Sequence, residues 1–458
     1  MIDLNIVILA AGKGTRMRSD LPKVLHSIGG KPILHHVVDA ARQLNPKSIV
    51  VVYGFGGEIV KQQTPSEDLQ WAIQVEQLGT GHAVQQTLSY LAENGKTLIL
   101  MGDVPLVDVN VCRAMLTQAD QHLVVQTFIK HDPTGYGRIE RNAQNEVISI
   151  VEHKDANEQQ RAIQEVNTGI MAMPNAKLHS WLSKITNQNA QQEYYLTDII
   201  ALSVSEGCTV LPHVVDDAWT VTGINSKQDL QDIEREYQRR QATRLMTEGV
   251  TLLDANRIDI RGKLTCGRDV MIDVNCVFEG NVTLEDQVQI GANCVIKNAV
   301  IARGSKIAAF THIEDAIVGE NSSIGPFARL RPGTVLADDT HIGNFVELKN
   351  TQVGVGSKIN HLSYVGDASI GAHVNIGAGT ITCNYDGANK FRTVIEDYAF
   401  IGSDTQLIAP VTIGQYATIA AGSTITKDAP ADALTLCRAR EQKSVIGWKR
   451  PQKIKKEH

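Results

Sequence analysis

Several features that mark common protein classes are missing from this sequence of 458 residues. It has seven cysteines, an odd number, and no C-x-x-C pair, which argues against both a disulfide framework and a zinc site. No apolar run is long enough to cross a bilayer. The chain passes from Met1 into a β-like segment without the basic flank of a signal peptide. We therefore expect a cytoplasmic protein with no membrane insertion.

A basic surface field is also missing. The formal net charge is -6, whereas proteins that bind nucleic acid carry positive patches. DNA and RNA are therefore not expected as partners. The basic run from Trp448 to Lys456 is typical of a solvated tail. The length itself predicts two or three domains, since it exceeds what one hydrophobic core supports.

A six-residue repeat dominates the second half of the chain. A helix would space its apolar residues by three and four, and a lone strand by two. A period of six predicts a parallel β-helix, in which one aliphatic residue per hexad points inward; a β-sandwich would show alternation instead. The inward positions are Val270, Cys276, Val282, Val288, Cys294 and Val300, then Ile324, Leu330, Leu336, Ile342 and Leu348, then Ile401, Leu407, Ile413, Ile419 and Ile425.

The first half alternates strand-like and helix-like segments, which predicts a doubly wound, Rossmann-like α/β domain. Strands are expected at 5–10, 49–53 and 97–101 and near 123–128, 147–151 and 209–215, with helices at 31–44 and 82–93. Residues 226–247 are charged and free of Gly and Pro, as in a long connecting helix. We therefore expect domains at 1–225 and 250–458, joined by a linker helix at 226–249, with a tail at the C-terminus.

The first strand ends in a glycine-rich loop that begins at Gly12. The loop lacks the third glycine of the dinucleotide pattern and the spacing of a P-loop. Its backbone N–H groups can still face phosphate, and the cations Lys13, Arg16 and Lys23 suit a triphosphate. Asp103 follows another buried strand and is a candidate Mg²⁺ ligand, although an aspartate there can also serve only as a turn or cap residue.

The string Leu9-Ala10-Ala11-Gly12-x-Gly14-Thr15-Arg16, followed by Pro22-Lys23, resembles the sugar-phosphate nucleotidyltransferases. The resemblance implies in-line attack of a sugar phosphate on a nucleoside triphosphate, catalysed by positioning and charge neutralisation. It implies Arg16 and Lys23 as catalytic phosphate ligands and Asp103 and Asn225 as Mg²⁺ ligands. The nucleotide- and sugar-binding residues that it implies are Leu9, Ala10, Ala11, Gly12, Lys23, Gln74, Gly79, Thr80, Met101, Gly102, Asp103, Gly137, Glu152, Asn167 and Asn225.

A second candidate site lies where the repeat carries polar residues. Regular coils satisfy their own packing, so interruptions indicate function. A neutral imidazole at His361 could accept a proton from an amine that attacks a thioester, and Arg331 and Lys349 could hold a phosphate. The alternative is that His361 is only a surface or stacked residue. A loop at 383–392 then breaks the hexads.

The two halves together resemble the bifunctional bacterial N-acetylglucosamine-1-phosphate uridyltransferases and glucosamine-1-phosphate acetyltransferases, from about residue 5 to 450, with Thr382-Cys383-Asn384-Tyr385-Asp386-Gly387 as a specific string. The resemblance implies a left-handed β-helix, a homotrimer with acetyl-transfer sites between neighbouring chains, and His361 as general base. It implies Arg331, Lys349, Tyr364 and Asn375 as ligands of the acetyl acceptor. The acetyl-CoA ligands that it implies are Ala378, Asn384, Tyr385, Ser403, Ala421 and Arg438.

The expected substrates are UTP, glucosamine-1-phosphate, N-acetylglucosamine-1-phosphate and acetyl-CoA, with Mg²⁺ serving only uridyl transfer. Met101 departs from the family, in which an aromatic residue is common at this position. Two alternatives remain open. One is a nucleotidyltransferase with a single activity and a structural repeat module, and the other is a non-catalytic scaffold with both folds.

Overall fold

The structure, a computed structural model, describes residues 3–12, 14–54, 56–92, 94–437 and 444. Lys13, Arg438 and the basic run at 448–456 lie outside the described residues. The chain divides into two compact units, Met1–Tyr237 and Gln238–His458. Among the described residues, no helix is both long enough and apolar enough to cross a membrane.

The first unit consists of helices packed around a β-sheet. Its strands are β1 (Leu4–Leu9), β2 (Ser27–Ile28), β3 (Lys31–Pro32), β4 (Ser48–Tyr53), β5 (Leu69–Ile73), β6 (Lys96–Met101), β7 (Leu123–Ile129), β8 (Arg138–Arg141), β9 (Val147–Val151), β10 (Glu165–Pro174) and β11 (Val210–Val215). Its helices are α1 (Ile33–Arg42), α2 (Gly57–Gln63), α3 (Thr80–Gln85), α4 (Val109–Gln118), α5 (Glu158–Arg161), α6 (Asn175–Leu182), α7 (Asp198–Ser205) and α8 (Lys227–Thr247), the last of which runs on into the second unit. Short 3₁₀ turns lie at Thr15–Met17, Lys23–Leu25, Leu88–Tyr90 and Ala218–Val221.

The main sheet has the order β11-β7-β10-β6-β1-β4-β5, with the hairpin β8–β9 attached to β10. Strand β1 runs parallel to both β4 and β6, whereas β10 runs antiparallel to β6 and β7. Both faces are covered: Val7 packs in the apolar cluster on one side and Ile8 in the cluster on the other. Such two-sided burial explains why β1 is apolar at successive positions. The predicted doubly wound fold is confirmed.

Two of the differences from the sequence prediction lie close to the site described below. The helix expected at 82–93 ends at Gln85, and a 3₁₀ turn follows at Leu88–Tyr90. Thr87 ends the helical run because its hydroxyl donates to the carbonyl of Val84 (2.7 Å), a local bond that competes with helix continuation. The antiparallel strand β10 was also missed; it carries Gly169 at a φ of +84° and a shift in register between Asn167 and Met171.

The second unit is a parallel β-helix of short strands. They are β12 (Thr251–Leu252), β13 (Ile258–Cys266), β14 (Met271–Ile272), β15 (Cys276–Leu284), β16 (Gln289–Ile290), β17 (Val295–Lys297), β18 (Val300–Ile301), β19 (Lys306–Ile307), β20 (His312–Glu314), β21 (Ile317–Val318), β22 (Ser323–Ile324), β23 (Arg329–Leu330), β24 (Val335–Leu336), β25 (His341–Asn344), β26 (Glu347–Lys349), β27 (Gln352–Val353), β28 (Lys358–His361), β29 (Tyr364–Gly366), β30 (Ala368–Ile370), β31 (Asn375–Ile376), β32 (Ile381–Cys383), β33 (Thr393–Ile395), β34 (Phe400–Ile401), β35 (Gln406–Ile408), β36 (Val411–Ile413), β37 (Thr418–Ile419), β38 (Thr424–Ile425) and β39 (Leu434–Thr435).

Successive coils stack in parallel register around one apolar shaft. Strands β12, β14, β16, β19, β22, β25, β28, β31, β34, β37 and β39 form one flat sheet in that order. Residues in contact on adjacent coils are most often 17 or 18 positions apart, as in the pairs Asn344–His361 and Asn275–Asn293, and 25 apart where the loop at 383–392 is inserted, as in Asn375–Phe400. The inward side chains form one continuous buried cluster. The parallel β-helix expected from the hexads is confirmed, with the left hand that the family resemblance implied, and Cys276 and Cys294 are buried within it.

One inward position was predicted wrongly. Val300 is 38 % exposed, whereas Ala299 and Ile301 beside it are 2 % and 0 % exposed. Thr283 and Val300 pair across a coil of 17 residues, one fewer than three hexads, so a strict period of six falls out of phase after Cys294. The later positions Ile324 to Leu348 and Ile401 to Ile425 return to the inward phase and are buried.

The corrected phase can be tested on two adjacent residues of β18. Replacing buried Ile301 by Ala should destabilise the β-helix by about 2–5 kcal/mol, because it opens a cavity in a close-packed core. Val300→Ala removes an outward side chain and should cost about 0.5 kcal/mol or less. Chemical denaturation of the full chain, followed by a probe of β-structure, measures both. Equal destabilisation by the two variants would contradict the assigned phase.

Candidate active sites

The glycine-rich loop begins where β1 ends, at the carboxyl edge of the parallel strands. Beyond the strand ends, the Gly102 N–H donates to the carbonyl of Leu9 (2.9 Å), so the loop after β1 and the turn after β6 lie side by side. Gly14 has a φ of +58°, and a Cβ there would meet the Cβ of Lys23 at 2.8 Å. Glycine therefore allows the loop to lie against the Lys23 side chain.

Two oxygen ligands converge on one point at this edge. The Lys23 ammonium donates to Asp103 Oδ2 (2.5 Å) and to Asn225 Oδ1 (3.1 Å). Both the carboxylate oxygen and the amide oxygen lie within hydrogen-bond distance of the same nitrogen. The two oxygens are therefore close enough together to bind one small cation. Mg²⁺ typically takes one or two protein oxygens and keeps water and phosphate oxygens for its other positions, so the donor set fits this ion. Among the described residues, no group of three or more His, Cys, Asp or Glu side chains forms a denser metal site.

Asn225 is positioned by the start of helix α8. The Asp229 carboxylate accepts from the backbone N–H groups of Asn225 (2.9 Å) and Ser226 (2.8 Å), while the Ser226 hydroxyl accepts from the Asp229 N–H (3.1 Å). This reciprocal arrangement is a capping box with Asp in place of the usual Glu. It fixes the backbone of Asn225 before the helix begins, and the amide oxygen can then face Asp103.

A cavity of about 270 Å³ lies beside this point. Gln74, which is 3 % exposed, donates from Nε2 to the carbonyl of Gly79 (3.0 Å). The Thr80 hydroxyl accepts from the Leu196 N–H (3.0 Å), which holds the start of α3 against the segment before α7. The described lining includes these predicted residues: Leu9, Ala10, Ala11, Gly12, Lys23, Gln74, Gly79, Thr80, Met101 and Asp103. It also includes Gln77 and Glu193, which the sequence analysis missed.

A second cavity of about 460 Å³ adjoins the first and shares Asp103 with it. The predicted residues Arg16, Gly137, Glu152, Asn167 and Asn225 line it. Gly102 is not part of either described lining. Gly102 instead contributes the backbone hydrogen bond to Leu9 described above.

Glu152 is held inside this second cavity. Its carboxylate accepts from the Thr197 hydroxyl (3.2 Å), and burial raises its pKa above the ordinary value. Lys130 also lines the cavity, and its ammonium lies 5.3 Å from the ring centroid of Tyr136. Lys130 was not predicted, because nothing in the sequence around it marks a site; only the fold places it in the cavity beside Tyr136.

In the second unit, the expected general base and three expected acetyl-CoA ligands form one vertical column. The backbone N–H groups of Leu362, Gly379, Asp404 and Gly422 donate to the carbonyls of Asn344, His361, Ala378 and Ser403, at 2.7–3.2 Å. One corner of the β-helix therefore stacks Asn344, His361, Ala378, Ser403 and Ala421 in that order, with Ala421 placed by the pairing of β34 with β37. We call these five residues the His361 column.

Around that corner, on the next face, lie three of the four expected ligands of the acetyl acceptor, namely Arg331, Lys349 and Tyr364. Lys349 pairs in register with Gly366 and Glu347 with Tyr364. A Cβ at Gly366 would meet the Tyr364 hydroxyl at 2.4 Å and Asn384 Nδ2 at 3.0 Å, so the absence of a side chain there leaves room for the tyrosine. The Arg331 guanidinium donates to Glu347 (2.8 Å). Asn375 lies on the other face, paired with Lys358.

Positive charge accumulates on this face. The Lys390 ammonium, with Arg331 contributing less, lowers the pKa of Lys349, because each like charge disfavours another one nearby. Lys390 belongs to the loop at 383–392, which folds back on itself through a bridge between Tyr385 and Lys390. The Asn384 amide donates to Asp367 Oδ2 (2.5 Å) and anchors the loop. The sequence analysis did not single out Lys390, and Arg438 lies outside the described residues.

Comparison with known proteins gives matches along the chain. The MobA-like NTP transferase domain model matches residues 6–160, the GMPPB C-terminal domain model residues 260–359, and the bacterial transferase hexapeptide model (six repeats) residues 392–427. The Bifunctional protein GlmU of Methylobacillus flagellatus is 64% identical over 99% of this chain and 98% of that protein. The chain belongs to the GlmU family.

Other GlmU proteins are nearly as similar. Those of Ralstonia nicotianae and Ralstonia pickettii are each 58% identical over 99% of this chain and 100% of the respective protein. The resemblance inferred from the loop after β1 and from the string at 382–387 is confirmed. As a GlmU chain, this protein is a bifunctional enzyme with a nucleotidyltransferase unit and a hexapeptide-repeat transferase unit.

Asp198, the first residue of α7, gives a pH-dependent test of the packing behind the second cavity. Burial, with the charge of Asp155, raises its pKa to about 6, above the value of about 3.9 for an unfolded chain. The stability contribution of protonated Asp198 is therefore lost as pH rises through 6. Asp198→Asn should match the wild type near pH 4 and melt at a higher temperature above pH 6.

Thermal melts at several pH values check this outcome. A matched control is Asp132→Asn, since Asp132 is exposed and its pKa is lowered by the Thr134 hydroxyl and N–H. That variant should show no gain above pH 6. A pH-independent difference for Asp198→Asn would contradict the raised pKa.

Proposed function

We propose that the first unit transfers the uridylyl group of UTP to N-acetylglucosamine-1-phosphate and releases pyrophosphate. The observation that carries the proposal is the convergence of Lys23, Asp103 and Asn225 beside the glycine loop. The two adjoining cavities suit the two substrates: the one around Gln74 and Gly79 takes the nucleotide, and the one around Glu152 and Asn167 takes the sugar. The junction at Asp103 is then where the sugar phosphate meets the α-phosphorus.

The residues of this unit act by position and charge. Lys23 and Arg16 neutralise the phosphates, and the backbone N–H groups of the loop face them. Asp103 and Asn225 would hold Mg²⁺, which when bound supplies charge neutralisation at the phosphates. In-line displacement needs no covalent help from the protein when both substrates are held in this way. With Asp103 and Asn225 holding the ion, the Lys23 ammonium would be available to the phosphates.

We propose that the second unit transfers an acetyl group from acetyl-CoA to the amine of glucosamine-1-phosphate. The order of the His361 column supports this proposal. His361 accepts the proton as the amine attacks the thioester carbonyl. Ala378, Ser403 and Ala421 continue upward from it as small residues and leave room for a pantetheine arm. Arg331, Lys349 and Lys390 form a cationic surface for the sugar phosphate.

The product of the second unit, N-acetylglucosamine-1-phosphate, is the sugar substrate of the first, so the chain makes UDP-N-acetylglucosamine in two steps. We further propose that three chains associate through their β-helices, and that Asn384, Tyr385 and Arg438 complete acetyl-transfer sites between neighbours. The single-activity alternative would leave Lys349, His361 and Tyr364 without a role. A thiol-release assay on the full chain distinguishes the two.

Substitutions at the two sites should separate the activities. His361→Ala removes the general base and should reduce acetyl transfer by about 10²–10⁴-fold, while uridyl transfer stays near the wild-type rate. Asp103→Ala removes the carboxylate expected to hold Mg²⁺ and should reduce pyrophosphate release by about a hundredfold or more, while acetyl transfer is kept. For each variant, acetyl transfer is measured with glucosamine-1-phosphate and uridyl transfer with N-acetylglucosamine-1-phosphate, so that neither assay depends on the other site.

Asp120→Ala provides a control for the second variant, since Asp120 forms a salt bridge with Lys96 (2.6 Å) away from the cavities. It should leave both activities unchanged. Loss of both activities in either active-site variant would contradict the assignment of two independent sites.

The cationic surface predicts a specific effect on substrate affinity. Lys390→Met should raise the KM for glucosamine-1-phosphate by about tenfold to a hundredfold, the range for one lost charge-assisted hydrogen bond, and should leave the KM for acetyl-CoA unchanged. Lys306→Met, at an exposed position of β19, is the matched control. A change confined to the KM for acetyl-CoA would instead assign Lys390 to the coenzyme.

A further inference from the structure

The pairing of β25 with β28 differs from the rest of its sheet. In the flat sheet that runs from β12 to β39, the other described strands have two residues each, whereas β25 (His341–Asn344) and β28 (Lys358–His361) have four. Their register extends past Ile342 and Ile359 to a third pair, Asn344 with His361. The β-structure is therefore locally lengthened at the coil that carries His361.

This longer pairing brings the two side chains into contact. His361 Nδ1 lies 2.8 Å from Asn344 Oδ1. An amide oxygen can only accept a hydrogen bond, so the proton of the neutral ring must be on Nδ1. The lone pair is then on Nε2, the ring nitrogen that Asn344 does not contact. In the opposite tautomer, Nε2 carries the proton and cannot act as a base.

Among the described residues around His361, the contact with Asn344 is the one that selects the tautomer of the ring. On the adjoining coil above, the His361 column presents Ala378, a methyl group without charge or hydrogen-bonding capacity. The coil below presents Asn344, which does not titrate. The titratable side chains nearest along the chain are Lys358, on the same strand, and Tyr364, after the corner at Leu362.

We propose that Asn344 is a positioning residue for acetyl transfer: its side-chain oxygen holds His361 in the tautomer with Nε2 free to accept the proton of the attacking amine. This inference rests on the proposed role of His361 as general base. Histidine ligands and bases depend in this way on the partner of the second ring nitrogen. Asn344 lies one coil before His361 and touches neither substrate in this assignment.

The test compares three substitutions in the full chain. Asn344→Leu removes the acceptor and should lower kcat for acetyl transfer by about tenfold to a hundredfold, less than loss of a general base costs, with little change in the KM values. Asn344→Asp keeps an acceptor of the same shape and should restore most of kcat. Asn281→Leu, at an exposed position of β15, should have no effect.

The pH profile supplies a readout that a purely structural role would not move. The carboxylate of Asn344→Asp stabilises the imidazolium of His361, so the acid limb of kcat/KM should shift to higher pH. Uridyl transfer, measured on the same preparations, should be unchanged and reports on folding.

The outcomes separate this inference from the function on which it rests. If His361→Ala retains acetyl transfer, the proposed general base is wrong. If His361→Ala is inactive but Asn344→Leu keeps the wild-type kcat, His361 acts without help from Asn344. If Asn344→Asp is as impaired as Asn344→Leu, the amide does not serve as an acceptor, and the proposal is overturned.

Discussion

The parallel stacking of coils is the constraint on which the second unit depends. Each backbone N–H must find a carbonyl one coil away, because an unpaired polar group within the stack is costly. This requirement makes vertical neighbours of residues that are 17 or 18 positions apart, or 25 apart where the loop at 383–392 is inserted. His361, Ala378 and Ser403 are distant in sequence and adjacent in space for that reason alone. The apolar shaft beneath them fixes each rung and so holds the chemical groups in place.

In the first unit the organising interaction is electrostatic. The ends of β1 and β6 bring Lys23 to Asp103, and the capping box at the start of α8 brings Asn225 to the same point. The Lys23 ammonium is thus held by two oxygens where the two adjoining cavities meet. In the second unit the corresponding charges are all positive. Lys390 and Arg331 lower the pKa of Lys349 because the three cations repel one another, and such a group favours an anion.

Much of this could be predicted from the sequence because it depends on local patterns. The hexads indicated the β-helix, and the loop after β1 indicated the nucleotide cavity. The inward phase failed at Val300 because coil length varies by one residue, which no single hexad reveals. Lys130 and Lys390 were missed because only tertiary structure brings them to their sites. Asn344 could have been found from the spacing of one coil before His361, had the length of that coil been known.

The central claim is that one chain carries two separate sites joined by a shared intermediate. The most direct measurement incubates the full chain with glucosamine-1-phosphate, acetyl-CoA, UTP and Mg²⁺ and follows thiol and pyrophosphate separately. Thiol should appear first, pyrophosphate release should require acetyl-CoA, and a chelator should stop pyrophosphate release while thiol release continues. Pyrophosphate at the same rate without acetyl-CoA, or loss of thiol release with the chelator, would contradict the central claim.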